Sequence, residues 1–159
     1  MTEAKFKTMR HIETVRNYIN LVIRELLHRQ ERHDQSKLEQ LEVETFEKYT
    51  PLLRGVTYGS PEYHGFLKEM DVAIQNHYQN NRHHPEHFEN GMAGMNLIDV
   101  LEMVIDWRSS SMRHDDGCIY KSIEINQGRF GYSDEMKQIL KNTADFLVAS
   151  DVYHKALES

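Results

Sequence analysis

Apolar positions recurring every three and four residues dominate this chain. Between Thr2 and Gln30 they are Phe6, Met9, Ile12, Val15, Tyr18, Ile19, Val22, Ile23, Leu26 and Leu27, the spacing of one helix face. His11 lies four residues before Val15, seven before Tyr18 and eleven before Val22, so it shares that stripe and is expected to be buried with it. A second helix is expected from Ser36 to Tyr49, capped by Asp34 or Ser36, with Leu38, Leu41, Phe46 and Tyr49 facing inward. Pro51, Gly55 and Gly59 make 50–59 read as a loop. Ser60-Pro61-Glu62 starts a third helix, serine as cap and proline in the first turn. It is expected to reach about Asn81, with Leu67, Met70, Ala73, Ile74 and His77 on one face.

Pro85 biases His84 away from helical geometry, and Gly91 and Gly94 mark a loop before Asn96 caps a helix from Leu97 to about Met112. Leu97, Ile98, Leu101, Val104, Ile105 and Trp107 are its apolar positions. Asp99, Glu102 and Asp106 form a line of carboxylates along one side, and Asp99 reads as part of a solvated acidic face. The stretch 119–130 fits helix or strand. Ser133 caps a last helix with Met136, Ile139, Leu140, Phe146 and Leu147 inward and acidic residues in its first turn, which suits the helix dipole. No repeat, low-complexity tract or linker interrupts the chain. The expected fold is therefore all-α: one domain over 1–159, a compact bundle of about six helices.

With 159 residues, 39% of them hydrophobic and 28% charged, the chain is long enough for a proper core and has a globular composition. No apolar run approaches the roughly 20 residues of a membrane span. The first residues lack the apolar centre of a secretion signal, and the single cysteine, Cys118, excludes an internal disulfide, so a reducing cytoplasm is expected. A formal charge of −6 argues against duplex nucleic acid as partner, yet leaves room for a small phosphorylated ligand neutralised by cations and a few basic side chains.

The ten histidines change the picture most. His33-Asp34 stands at the expected junction of the first two helices, where neighbouring side chains can converge rather than splay by about 100° per residue. His77, His83, His84 and His87 follow, and Asp106 sits in a later apolar helix. Burying imidazoles and a carboxylate without partners is costly, and a metal ion removes that cost by taking their lone pairs. Mixed imidazole and carboxylate donors suit Mn, Fe, Co, Ni or Zn, with Mg possible for oxygen donors. Six or seven candidate ligands are enough for one or two ions, and Asp34 is the natural bridge. A second His-Asp pair, His114-Asp115, has no such surroundings and reads as a turn.

The order His11, His33-Asp34, Asp106 resembles the HD-domain superfamily of metal-dependent phosphohydrolases. His77, His83 and His84 look like the extra histidines of its two-metal branches, although those branches space their middle histidines more widely. Lys37, in His-Asp-x-x-Lys, is similar to the variant in which a lysine follows the doublet. The strings His-Asp-Gln-Ser-Lys, Asn-Arg-His-His-Pro-Glu-His and Glu-Met-Val-Ile-Asp-Trp also look like those of a family of phage and bacterial proteins. The resemblance implies hydrolysis of a phosphate ester, a nucleotide being the favoured substrate, by a metal-activated water. It implies His11, His33, Asp34 and Asp106 as core ligands, with His77 and His83 or His84 for a second ion. Asp34 and Lys37 would serve the chemistry, and Lys37, Arg82 and Arg108 would bind the substrate. His87 and Glu102 would orient ligands or donate protons. The same ligand order also resembles the di-iron HD oxygenases, and a metal-stabilised binding module without catalysis is a further alternative. HD proteins often associate through helices, so a homo-oligomer is a possible state.

Overall fold

The structure, a computed structural model, describes residues 1–57, 60–113 and 117–158, the side chains of 152–158 excepted. The His114-Asp115 pair lies outside the described residues. Among those described there are seven α-helices and no strand. They are α1 Glu3–Arg32, α2 Gln40–Arg54, α3 Pro61–Glu69, α4 Asp71–Asn80, α5 Leu97–Ser111, α6 Ile119–Phe130 and α7 Asp134–Glu158, with short 3-10 turns at Gln35–Leu38, Pro85–His87 and Gly91–Gly94. The all-α expectation holds, and the stretch that fitted either helix or strand is α6. The count exceeds six because the expected third helix breaks at Met70, which ends α3 and opens α4.

The chain divides into two compact units, Met1–Gln35 and Ser36–Ser159. The first is α1 and the corner that ends it. Thr2 caps α1 by accepting the Lys5 N–H at 3.3 Å, and Glu3–Lys7 and Glu25–Arg29 ion pairs join side chains one turn apart. The helix stops where His33 leaves helical geometry and Asp34 takes a left-handed conformation, φ 58°, which short polar side chains tolerate better than most. The expected burial of the α1 stripe is not found: no residue of this helix is buried, and Ile12, Val15, Ile19 and Val22 are all exposed. His11 is exposed with them. A 3.6-residue period shows that a helix has an apolar face, not that something covers it.

The second unit holds the core. Val100, Met103 and Val104 of α5, Ile119 and Ile123 of α6, and Leu140 and Ala144 of α7 pack together, and Tyr132 closes the cluster by donating its hydroxyl to the Ile123 carbonyl at 2.5 Å. α6 ends at Gly131, whose φ of 66° is open to a residue without Cβ. Tyr49, Met70 and Ala73 are the buried apolar positions of the α2–α4 region. Several expected inward residues instead face out, among them Leu38, Leu41, Ile139 and Phe146. In α2 the face that goes inside is Glu42, Phe46 and Tyr49, so a carboxylate occupies a core position, and Pro51 lies inside this helix rather than in a loop.

Candidate metal centre

Three imidazoles meet in the second unit. His77 stands in the last turn of α4, and His83 and His84 follow in the extended segment that Pro85, itself buried, keeps from continuing the helix. Each of the three offers a ring nitrogen within 4.8 Å of the others. His77 Nε2 and His84 Nε2 are 2.9 Å apart, close to the spacing of two neighbouring ligands each about 2.1 Å from one ion. Asp106, on α5, offers a carboxylate oxygen within 4.8 Å of a His83 ring nitrogen.

Two carboxylates settle which nitrogen of His77 and of His83 faces inward. Glu42 is fully buried; one oxygen accepts from the Asn76 amide at 2.6 Å, and the other lies 3.1 Å from His77 Nδ1. The Asn81 amide nitrogen is also 3.1 Å from that Nδ1, but its two hydrogens go to the Ser36 hydroxyl and the His77 carbonyl, both at 2.8 Å. The proton on His77 Nδ1 therefore points to Glu42, and Nε2, the nitrogen beside His84, carries the lone pair. Glu102, one turn before Asp106, lies 3.3 Å from His83 Nδ1 and selects the same tautomer there. Carboxylates behind imidazoles are the usual way a protein holds metal-binding histidines in orientation. The donor set, neutral imidazoles with a carboxylate, fits a divalent transition metal.

The chain belongs to DUF5662, a family of unknown function. The DUF5662 match covers residues 1–149, and with them every residue of this centre. No curated protein and no solved structure matches the chain.

Within this DUF5662 chain the expected ligands sort into three groups. His77, His83 and His84 are brought together in the second unit, and Asp106 approaches His83. His33 and Asp34 form the corner of the first unit, with His33 Nε2 and Asp34 Oδ2 3.7 Å apart. His11 is a correction. It sits on the same unbroken helix 22 residues before His33, which at 1.5 Å per residue places it about 33 Å away along the axis. Within one copy it cannot share an ion with the doublet.

The expected substrate cations also need revision. Arg82 makes a two-pronged ion pair with Asp99, Nε to Oδ1 at 3.2 Å and Nη2 to Oδ2 at 3.0 Å, and lies over the Phe88 ring. Arg108 holds Asp151 through Nε and Nη2, at 3.1 and 2.7 Å. Both guanidiniums are thus committed to carboxylates. Asp99 itself is fully buried, not solvated: it closes a capping box with Asn96 as well as receiving Arg82. His87 donates Nδ1–H to the Tyr78 carbonyl at 3.0 Å, which ties it to the backbone. Lys37 stands half-buried, its ammonium 5.6 Å over the Phe46 ring, in a groove it shares with Glu47, Thr50 and Arg54.

Glu42, Ser36 and Asn81 were missed as part of the site. A signal for Glu42 exists in the sequence: it lies four before Phe46 and seven before Tyr49, an acidic residue in register with an apolar face.

Proposed function

We propose that this protein is a metal-dependent phosphohydrolase of HD type, acting on a small phosphate ester such as a nucleotide. One observation carries the reading: three imidazoles meet in the second unit with the Asp106 carboxylate beside one of them, His83, and two of the rings are oriented by glutamates, Glu42 fully buried and Glu102 largely so. Polar groups gathered in a helical interior at this density are costly unless they hold something. His77, His83, His84 and Asp106 would hold the ion.

The His33-Asp34 corner is proposed to complete the ligand set. The mixed imidazole and carboxylate donors of the doublet are the support for Asp34 as a ligand or bridge. When bound, a divalent ion lowers the pKa of a coordinated water toward about 7 and polarises a phosphoryl oxygen.

The chain's own residues do the rest in this reading. Glu42 and Glu102 keep His77 and His83 in the tautomer that presents Nε2, so binding requires no proton rearrangement. Lys37, next to Ser36, neutralises phosphoryl charge, and Arg54 in the same groove is a second cation for an extended phosphate. Arg82 and Arg108 hold structure through Asp99 and Asp151.

Metal analysis of the purified full chain, followed by a phosphate-release screen over nucleotides with Mn, Co and Mg, tests this. Near-stoichiometric metal with phosphate release that Asp106→Ala abolishes is the expected result. Iron with dioxygen uptake and no phosphate release would move the protein to the oxygenase reading, and a chain that retains no divalent metal would end the proposal.

A further inference from the structure

The apolar stripe of α1 is the largest uncovered feature of the first unit. Ile12, Val15, Ile19, Val22 and Leu26 follow one another at intervals of three, four, three and four, the repeat of helices that pack along a common seam. Met9 and Ile23 widen the stripe on one side. Ten large apolar side chains of the helix stand between 41 and 67% exposed. Single exposed apolar residues are ordinary on protein surfaces, but a continuous stripe along a 30-residue helix is not.

We infer that this stripe is a self-association surface, and that its occupant is the same stripe on the α1 helix of a second copy. The helix is about 45 Å long, so two of them laid side by side offer a seam of several turns. Covering the exposed parts of the seven stripe residues, Met9 to Leu26, on both copies removes on the order of 1,000 Å² from water, the lower end of the range for specific interfaces. The residue choice agrees: the seam is built from β-branched Ile and Val, which favour interhelical packing positions.

The opposite face argues against a bilayer as occupant. At helical spacing that face carries Arg10, Glu13, Asn17, Asn20, Arg24 and Glu31, a face of mixed sign rather than the cationic face of a helix that lies on anionic lipid. The inference stands apart from the metal centre and does not depend on the proposed activity.

Sedimentation equilibrium of the full chain and of two variants tests it. Wild type is expected to self-associate at micromolar concentration, and its melting temperature is expected to rise with protein concentration. Ile19→Glu, which places a charge in the seam, is expected to weaken association by about 100-fold or more. Leu21→Glu, at an exposed position on the opposite side of the same helix, should leave it intact. Circular dichroism confirms that each variant stays helical, and Val22→Glu replaces Ile19→Glu if the latter does not. A wild type that is monomeric with a concentration-independent melting temperature overturns the inference. So does an assembly indifferent to the seam charge, or a monomer that binds anionic vesicles through the stripe.

Discussion

Glu42 Oε2 lies 3.1 Å from His77 Nδ1, and both side chains are buried. The contact joins α2 to α4 and sets which nitrogen of His77 faces His84. A glutamate in the core is otherwise hard to justify, since an ionised carboxylate without hydrogen bonds there is very costly. Here Asn76 and His77 satisfy it. Glu42→Gln keeps the volume but replaces an acceptor-only group with an amide, which no longer enforces the His77 tautomer. Metal affinity is expected to fall by about 10- to 100-fold. Calorimetric titration of the variant with Co or Zn measures it, and affinity equal to wild type would show that Glu42 has no part in orienting the ligand.

Metal should stabilise the native chain in proportion to its affinity, by about 2.7 kcal/mol at a hundredfold excess over the dissociation constant. His77→Ala and His84→Ala are expected to abolish the increase in melting temperature. His87→Ala is expected to keep it, because that ring is anchored on the Tyr78 carbonyl, and so is His11→Ala, about 33 Å along α1 from His33. Scanning calorimetry with and without metal is the measurement, and an equal loss at all four positions would mean that the stabilisation does not come from this centre.

Asp99 is fully buried, whereas the Arg82 side chain is 44% exposed. Asp99→Ala removes the Arg82 pair and the capping box at the start of α5 together, and is expected to destabilise by about 3 kcal/mol. Arg82→Ala leaves a carboxylate that still accepts the Asn96 N–H at 3.0 Å, so a loss of only about 1–2 kcal/mol is expected. Urea denaturation of the two variants compares them, and a larger loss for the arginine would contradict this division.

Burial pushes the Tyr132 phenol up to about 12, from an ordinary 10.0. The folded state therefore keeps this proton after the unfolded chain has lost it. The resulting stabilisation is complete below about pH 10 and disappears as pH rises toward about 12. Tyr132→Phe also removes the hydrogen bond to the Ile123 carbonyl, and is expected to be about 1 kcal/mol less stable than wild type at neutral pH. Chemical denaturation at pH values between about 8 and about 11.5 should show that gap narrowing at the alkaline end. A gap that stays constant would indicate an exposed phenol.

Much of the site was legible where it depended on residue type and order. His77, His83, His84 and Asp106 can be picked out because imidazoles on an apolar helix face and beside a proline need a reason to be there. Glu42 carried only its register with Phe46 and Tyr49 as a sign of burial, and a glutamate in register with an apolar face is more often at its edge; the packing of α2 against α4 is what puts it inside. Arg82 and Arg108 show the converse: a basic residue near a ligand segment has the right charge for a phosphate, but the nearest carboxylate takes it first.

Local chemistry in the chain itself determined the helical class, most helix starts and the corner at His33-Asp34. Capping side chains, prolines and left-handed positions act within a few residues, so they can be read in one dimension. Tertiary structure decided what one dimension cannot hold: that the expected third helix breaks at Met70, that Glu42 and Asp99 go inside, and that the α1 stripe stays uncovered with His11 far from the doublet. Each of these depends on which surfaces meet, and hydrophobic spacing specifies a face without specifying its partner.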